Sequence, residues 1–175
     1  LAQALDYLHD EAAWTLFEEK LNARLLRVYD LATGTIRLDS TSAKSFGTVT
    51  PEGLLQFGHS KDHRPDLPQF KIQLSTLDPL GLPLTATITS GEKADDPLYV
   101  PEIDRVRQTL GKCGLLYVGD CKMAALATRI HLAAGGDWYL CPFSSVQMPT
   151  ATLSELLAPV RSGAQAVQPI WRTNE

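Results

Sequence analysis

Cysteine is scarce in this sequence, and what there is does not pair. Cys113, Cys121 and Cys141 form no CxxC spacing and leave one thiol over in any pairing scheme. That excludes a disulfide framework and a zinc knuckle, and reduced thiols are the expectation. Positive charge is short as well: 16 Lys and Arg against 20 Asp and Glu give a formal net charge of -4. A general electrostatic grip on nucleic acid is thereby excluded, so any contact with it has to be local. No apolar run is long enough to span a bilayer, and the opening LAQALDYLHDE is an amphipathic, acidic segment rather than a signal peptide. The chain reads as soluble and intracellular. Internal repeats and low-complexity linkers are absent. So is an initiator Met, and the start at Leu1 with the polar ending IWRTNE leads us to expect a longer parent polypeptide.

What is present suffices for one buried core, since 175 residues with 44% hydrophobic and 21% charged side chains are ordinary globular composition. From about Leu5 to Val28, Trp14, Phe17, Leu21, Leu25 and Val28 recur at steps of three and four, which predicts one lead-in helix. A turn at Thr33 to Thr35 precedes a short strand of Ile36 and Leu38 ending on Asp39. A second strand is expected over Leu54 to Gly58, and a third where Phe70, Ile72 and Leu74 alternate with polar residues. Leu82, Leu84, Ala86 and Ile88 continue that pattern as a meander. Pro101 marks the start of a helix carrying Ile103, Val106 and Leu110, which ends at Gly111. Leu115 to Val118 is a continuous apolar run, as in a strand covered on both faces. A helix with Met123, Leu126 and Ile130 follows and stops at Gly135 and Gly136; then come a strand over Asp137 to Phe143 and a helix after Pro149. The expected class is α/β, a mixed sheet with an antiparallel meander followed by parallel strands and helices on both faces. Residues 1–30 are the lead-in, 31–148 the core, and 149–175 the beginning of a further region.

Asp39 and Asp120 each end a predicted strand, and neighbouring strands would bring them to one edge of the sheet. Two carboxylates that close repel unless a cation lies between them, and magnesium (or manganese) suits a site of few carboxylates completed by water and phosphate oxygens. The chemistry such a pair supports is phosphoryl transfer. Each residue also has a plainer reading. Asp120 fits an N-cap for a helix beginning near Lys122, and Asp39, followed by Ser40 and Thr41, fits an Asx turn.

The segment GHSKDHRPDLPQFKIQL, Gly58 to Leu74, crowds charge into a loop. His59 and His63 with Asp62 or Asp66 make a poor zinc site, because Pro65 and Pro68 impose extended backbone and oppose the helix that would align the histidines. A solvated hairpin connection whose charges protect a sheet edge is the alternative. Among single residues, Cys121 reads as a small packed side chain, Trp14 and Trp138 as core or interface fillers, and His131 as solvent-facing.

RLDSTSAKSFG (Arg37 to Gly47), GHSKDHRPDLPQFKI (Gly58 to Ile72), SGEKADD (Ser90 to Asp96) and LYVGDCKMA (Leu116 to Ala124) follow one another in this order. Their combination resembles the DDE transposases of bacterial insertion sequences, in the insertion-sequence-four superfamily, over roughly Leu31 to Ser144. The resemblance implies an RNase H-like fold and metal-dependent DNA cleavage and strand transfer at transposon ends. It further implies transposon-end and target DNA as partners, a homodimer, and a bacterial cytoplasmic setting. Asp39 of DST would be the first catalytic, metal-binding Asp and Asp120 of VGD the second; Lys61, His63 and Arg64 would hold DNA phosphates at the rim. The third acid of the family lies in a pattern of Tyr, two residues, Arg, three residues, Glu, six residues, Lys. Glu155 departs from it, with Met148, Ala151 and Ser162 where Tyr, Arg and Lys would stand. The expectation is therefore a truncated transposase whose third carboxylate lies beyond Glu175 and which has little activity alone. Rival readings are an RNase H-like nuclease that cuts without joining, and an inactive DNA-binding remnant.

Overall fold

Alternating side chains decide which way each strand of the meander faces, and the sheet built on them organises the chain. A computed structural model describes residues 2–59 and 63–169. It divides into two units, Leu1–Pro142 and Phe143–Glu175, each considered by itself. The first unit opens with α1 (Ala2–Leu8) and α2 (Glu11–Tyr29), then β1 (Thr35–Lys44), β2 (Gln69–Leu77) and β3 (Leu82–Ser90). A 3-10 turn at Asp96–Leu98 leads into α3 (Tyr99–Leu110), β4 (Leu116–Val118), α4 (Leu126–Ala134) and β5 (Trp138–Leu140). In the second unit α5 (Thr150–Arg161) carries Pro159 within it, and Glu155 on this helix is exposed.

The five strands form one sheet in the order β3-β2-β1-β4-β5. β1 pairs antiparallel with β2 and β2 with β3, while β1 with β4 and β4 with β5 run parallel. This is the mixed α/β arrangement of an RNase H-like sheet, an antiparallel meander continued by parallel strands with flanking helices. On one face Ile36, Leu38 and Leu77 meet Ile103 and Val106 of α3 and Leu132 of α4, all but solvent-free. Further along, that face turns polar: Ser40 stands opposite Gln73, Ser42 opposite Lys71 and Lys44 opposite Gln69. Lys71 is buried there with Asp95, Nζ to Oδ1 2.6 Å.

Helix α2 closes the β3 edge of the sheet. Its buried residues are polar, Glu18 and Asn22. Asn22 Nδ2 donates to the Leu84 carbonyl, Glu18 Oε1 accepts from the Ala86 amide, and Arg105 of α3 binds Glu18 Oε2. An edge strand whose outward groups are taken up in this way offers fewer of them to another chain. At the opposite side of the first unit, Asp137 accepts from the Leu115 amide at 2.8 Å and from Arg107 Nε at 2.8 Å, tying α3 to β4 and β5.

Several local expectations need correction. The lead-in is two helices, because Asp10 caps α2 by accepting from the Ala13 amide at 2.8 Å and so starts a new helix. The residues Phe17, Leu21 and Val28, expected on one stripe, stay substantially exposed while Glu18 and Asn22 are covered. β1 does not stop at Asp39 but runs on to Lys44, since its polar continuation is paired residue by residue with β2. Leu54 to Gly58 contributes only the isolated bridge Gln56 to Gln69. Met123 lies in a turn ahead of α4, not on that helix. Trp138 is 71% exposed and is no core filler. Cys121 is exposed rather than packed, and His131 is half-buried, with Nε2 2.7 Å from Asp104 Oδ1.

Candidate functional site

Parallel pairing of β1 with β4 sets the geometry of the two aspartates. Thr35 is level with Leu116, Ile36 with Tyr117 and Arg37 with Val118. Continued two residues on, the register brings Asp39 level with Asp120 just past the end of β4. The closeness of the chains at this point has an independent measure. A Cβ placed on Gly119 would stand 3.3 Å from the Leu38 carbonyl oxygen and 2.7 Å from Met123 Sδ. Only glycine fits between strand and turn there without displacing Met123. Both aspartates are exposed.

Each carboxylate commits one oxygen locally. Asp39 Oδ1 accepts from the Ser40 amide at 2.8 Å within the continuing strand, so the Asx turn expected there does not form. Asp120 Oδ1 accepts from the Tyr99 hydroxyl at 2.8 Å, the Lys122 amide at 2.9 Å and the Met123 amide at 3.4 Å. Asp120 thus caps the turn over Cys121 to Ala124, whereas α4 begins later, at Leu126, without a side-chain cap. Among the described residues neither Asp39 Oδ2 nor Asp120 Oδ2 has a hydrogen bond.

Tyr99, the first residue of α3, is fully buried. Burial first, then the hydrogen bond to Asp120 and the charges of Asp120, Asp39 and Asp95, raise its pKa far above the ordinary tyrosine value. The phenol therefore stays protonated and donates. Asp95 itself is engaged with Lys71. Sequence reasoning did not single out Tyr99, because an aromatic residue at a helix start reads as core. Its position directly after ADDPL was the available signal.

The donor set suits a hard divalent ion. Two carboxylate oxygens without a hydrogen bond among the described residues, one on β1 and one just past the end of β4, are the kind of donors magnesium or manganese take, leaving positions for water and phosphate. Among the described residues no group of three or more His, Cys, Asp or Glu side chains is placed to hold a metal ion.

Lys61 lies outside the described residues, as does Asp62. His63 is exposed with φ 56, a left-handed backbone conformation. Arg64 is held by Asp66 through two parallel bonds, Nε to Oδ1 2.8 Å and Nη2 to Oδ2 2.7 Å. That pairing raises the Arg64 pKa and lowers that of Asp66, and it offsets the charge that a phosphate would meet. No described helix is long and apolar enough to cross a membrane.

No protein-family model matches the chain, and no curated protein does. Solved structures do resemble it. A Mos1 transposase paired-end complex with the left transposon end aligns with 84% of this chain and 47% of its own, at 11% identity and a TM-score of 0.44. The catalytic domain of Mos1 mariner transposase aligns with 86% of this chain and 70% of its own, at 13% identity and a TM-score of 0.42. A simian T-cell lymphotropic virus intasome aligns with 75% of this chain and 40% of its own, at 9% identity and a TM-score of 0.45. The chain spans about half the length of most of these structures. At such identities the likeness concerns the fold alone.

Proposed function

We propose that this chain is catalytic-core material of a DDE transposase of the insertion-sequence-four type, acting on DNA phosphodiesters at transposon ends. The observation that carries the reading is the parallel pairing of β1 with β4, whose register, continued two residues past Arg37 and Val118, would set Asp39 level with Asp120. The four motif segments quoted above add to it. Asp39 and Asp120 would hold the divalent ion through their unengaged Oδ2 atoms. A bound magnesium or manganese ion supplies activation of the attacking oxygen and charge neutralisation on the leaving one. The chain's own residues fix where this happens. The Ser40 amide holds Asp39 and the Tyr99 hydroxyl holds Asp120, so the two oxygens keep their separation as DNA enters. His63 and Arg64, with Lys61, would contact backbone phosphates and so position the strand without reading its sequence. Assembly as a homodimer on two DNA ends belongs to the same reading.

Metal-dependent thermal stabilisation tests it. Mg2+ or Mn2+ at a hundredfold excess over its dissociation constant would stabilise the fold by about 2.7 kcal/mol. Asp39→Ala and Asp120→Ala are each expected to remove that gain. A melting midpoint indifferent to both ions would sink the reading. Nicking of supercoiled plasmid is expected to be weak, since no third carboxylate joins the pair among the described residues. Robust nicking abolished by Asp39→Ala would show that two carboxylates suffice. Adding a target plasmid then separates a transposase, which joins strands, from a nuclease, which only cuts.

A further inference from the structure

We infer that Tyr99 is the positioning residue for Asp120: its hydroxyl takes up Oδ1 and leaves Oδ2 as the oxygen presented to the cation. The inference rests on the metal-binding reading above and assigns a role within it. Asp120 follows the last residue of β4 by two positions, where the strand's own hydrogen bonds no longer constrain the chain. Two backbone amides of the following turn reach Oδ1, one of them only at 3.4 Å. They belong to the same short turn as Asp120 and move with it. Tyr99 is the one side chain among the described residues that ties this carboxylate to another element, the buried start of α3, 21 positions away in sequence. With its ring fully buried, the phenol oxygen is fixed by packing and fixes the carboxylate in turn. Residues that orient a metal ligand in this way commonly govern affinity nearly as strongly as the ligand does.

A built-in control stands close by. Tyr117 is equally buried, lies on β4 itself, and its hydroxyl has no hydrogen-bond partner among the described residues. Removing either hydroxyl keeps a ring of nearly the same volume in the core, so general packing is perturbed alike. Only one of the two substitutions touches Asp120.

The experiment is a Mn2+ titration by calorimetry of the whole chain, its Tyr99→Phe and Tyr117→Phe variants, and Asp120→Asn. Tyr99→Phe should weaken Mn2+ binding roughly tenfold or more, Tyr117→Phe should leave it unchanged, and Asp120→Asn should abolish it. Equal affinities for Tyr99→Phe and the unsubstituted chain, with Asp120→Asn still abolishing binding, would overturn the positioning role alone. Failure of the unsubstituted chain to bind Mn2+, or binding undisturbed in Asp120→Asn, would overturn both the role and the metal-binding reading. A second measurement needs no Tyr99 variant: with tyrosine labelled by 13C at Cζ, Mg2+ should shift the Tyr99 resonance more than that of Tyr117. A Tyr99 resonance unmoved at Mg2+ saturation would equally overturn the inference.

Discussion

The carboxylate of Glu102 accepts hydrogen bonds from the hydroxyls of Thr85 and Thr87, so that α3 is pinned to β3 by an acid with no exposure to solvent. Burial raises the pKa of Glu102 above the ordinary value, against the lowering effect of both threonines and of Arg105.

A raised pKa in the folded chain means that the unfolded chain releases this proton first. The stabilising contribution of protonated Glu102 is complete below the unfolded pKa and is lost as pH rises through the folded one. Glu102→Gln removes that dependence. Urea unfolding at a series of pH values should therefore show the variant gaining on the unsubstituted chain as pH rises from about 4.5 towards neutrality. A difference independent of pH would refute the assignment.

Asp137 closes the other side of the sheet. Its side chain has no exposure, binds Arg107 at 2.7 Å and accepts the Leu115 amide. Asp137→Ala leaves the buried Leu115 amide without its acceptor and the Arg107 guanidinium with only Asp104 and His131 as partners, at a cost of about 1–3 kcal/mol. Equilibrium denaturation of the two proteins measures it, and a loss under about 1 kcal/mol, the range of an exposed pair, would show the pair to be immaterial.

Asn22→Ala tests whether α2 is needed to cover β3. Withdrawal of its amide leaves the Leu84 carbonyl without that donor, at a cost of about 1–3 kcal/mol. Hydrogen exchange should speed up at the edge strand, and light scattering should rise with protein concentration. Unchanged exchange along Leu82–Ser90 would contradict this account of the edge.

Arg64 and Asp66 offer a test of the loop that gives opposite signs. If Arg64 contacts phosphate, Arg64→Ala lowers the slope of log affinity against log salt by about one. Asp66→Ala, by withdrawing one carboxylate from the guanidinium, increases affinity for duplex DNA. Fluorescence anisotropy at several salt concentrations reads both, and equal slopes for all three proteins would remove the loop from the DNA interface.

The meander was legible because β2 and β3 alternate apolar with polar residues, although in β2 it is the polar set, Gln69, Lys71, Gln73 and Ser75, that is buried, and Phe70, Ile72 and Leu74 are only half-buried. β1 was legible only as far as Asp39. Beyond it Ser40 is buried and Ser42 half-buried, opposite Gln73 and Lys71, while Lys44 is exposed, so the strand continues on that face with no apolar signature. The same applies to α2, whose buried contacts come from Glu18 and Asn22 bonding to backbone, a role hydrophobic periodicity does not register. Asp39 and Asp120 could be singled out because a carboxylate at a strand end is conspicuous. Tyr99 could not, since its partner lies across the sheet in a turn whose path depends on Gly119.

Asp39 and Asp120 stand 81 positions apart in the chain, and it is the pairing of β1 with β4 that draws their segments together. Two strands and α3 have to be threaded before that pairing closes, so it is a pairing of high sequence separation and slow to form. If the two aspartates hold the cation as proposed, a nascent or partly refolded chain has nowhere to lodge it. Divalent ions should then leave the refolding rate nearly untouched and retard unfolding instead, making ion capture the signature of a finished sheet.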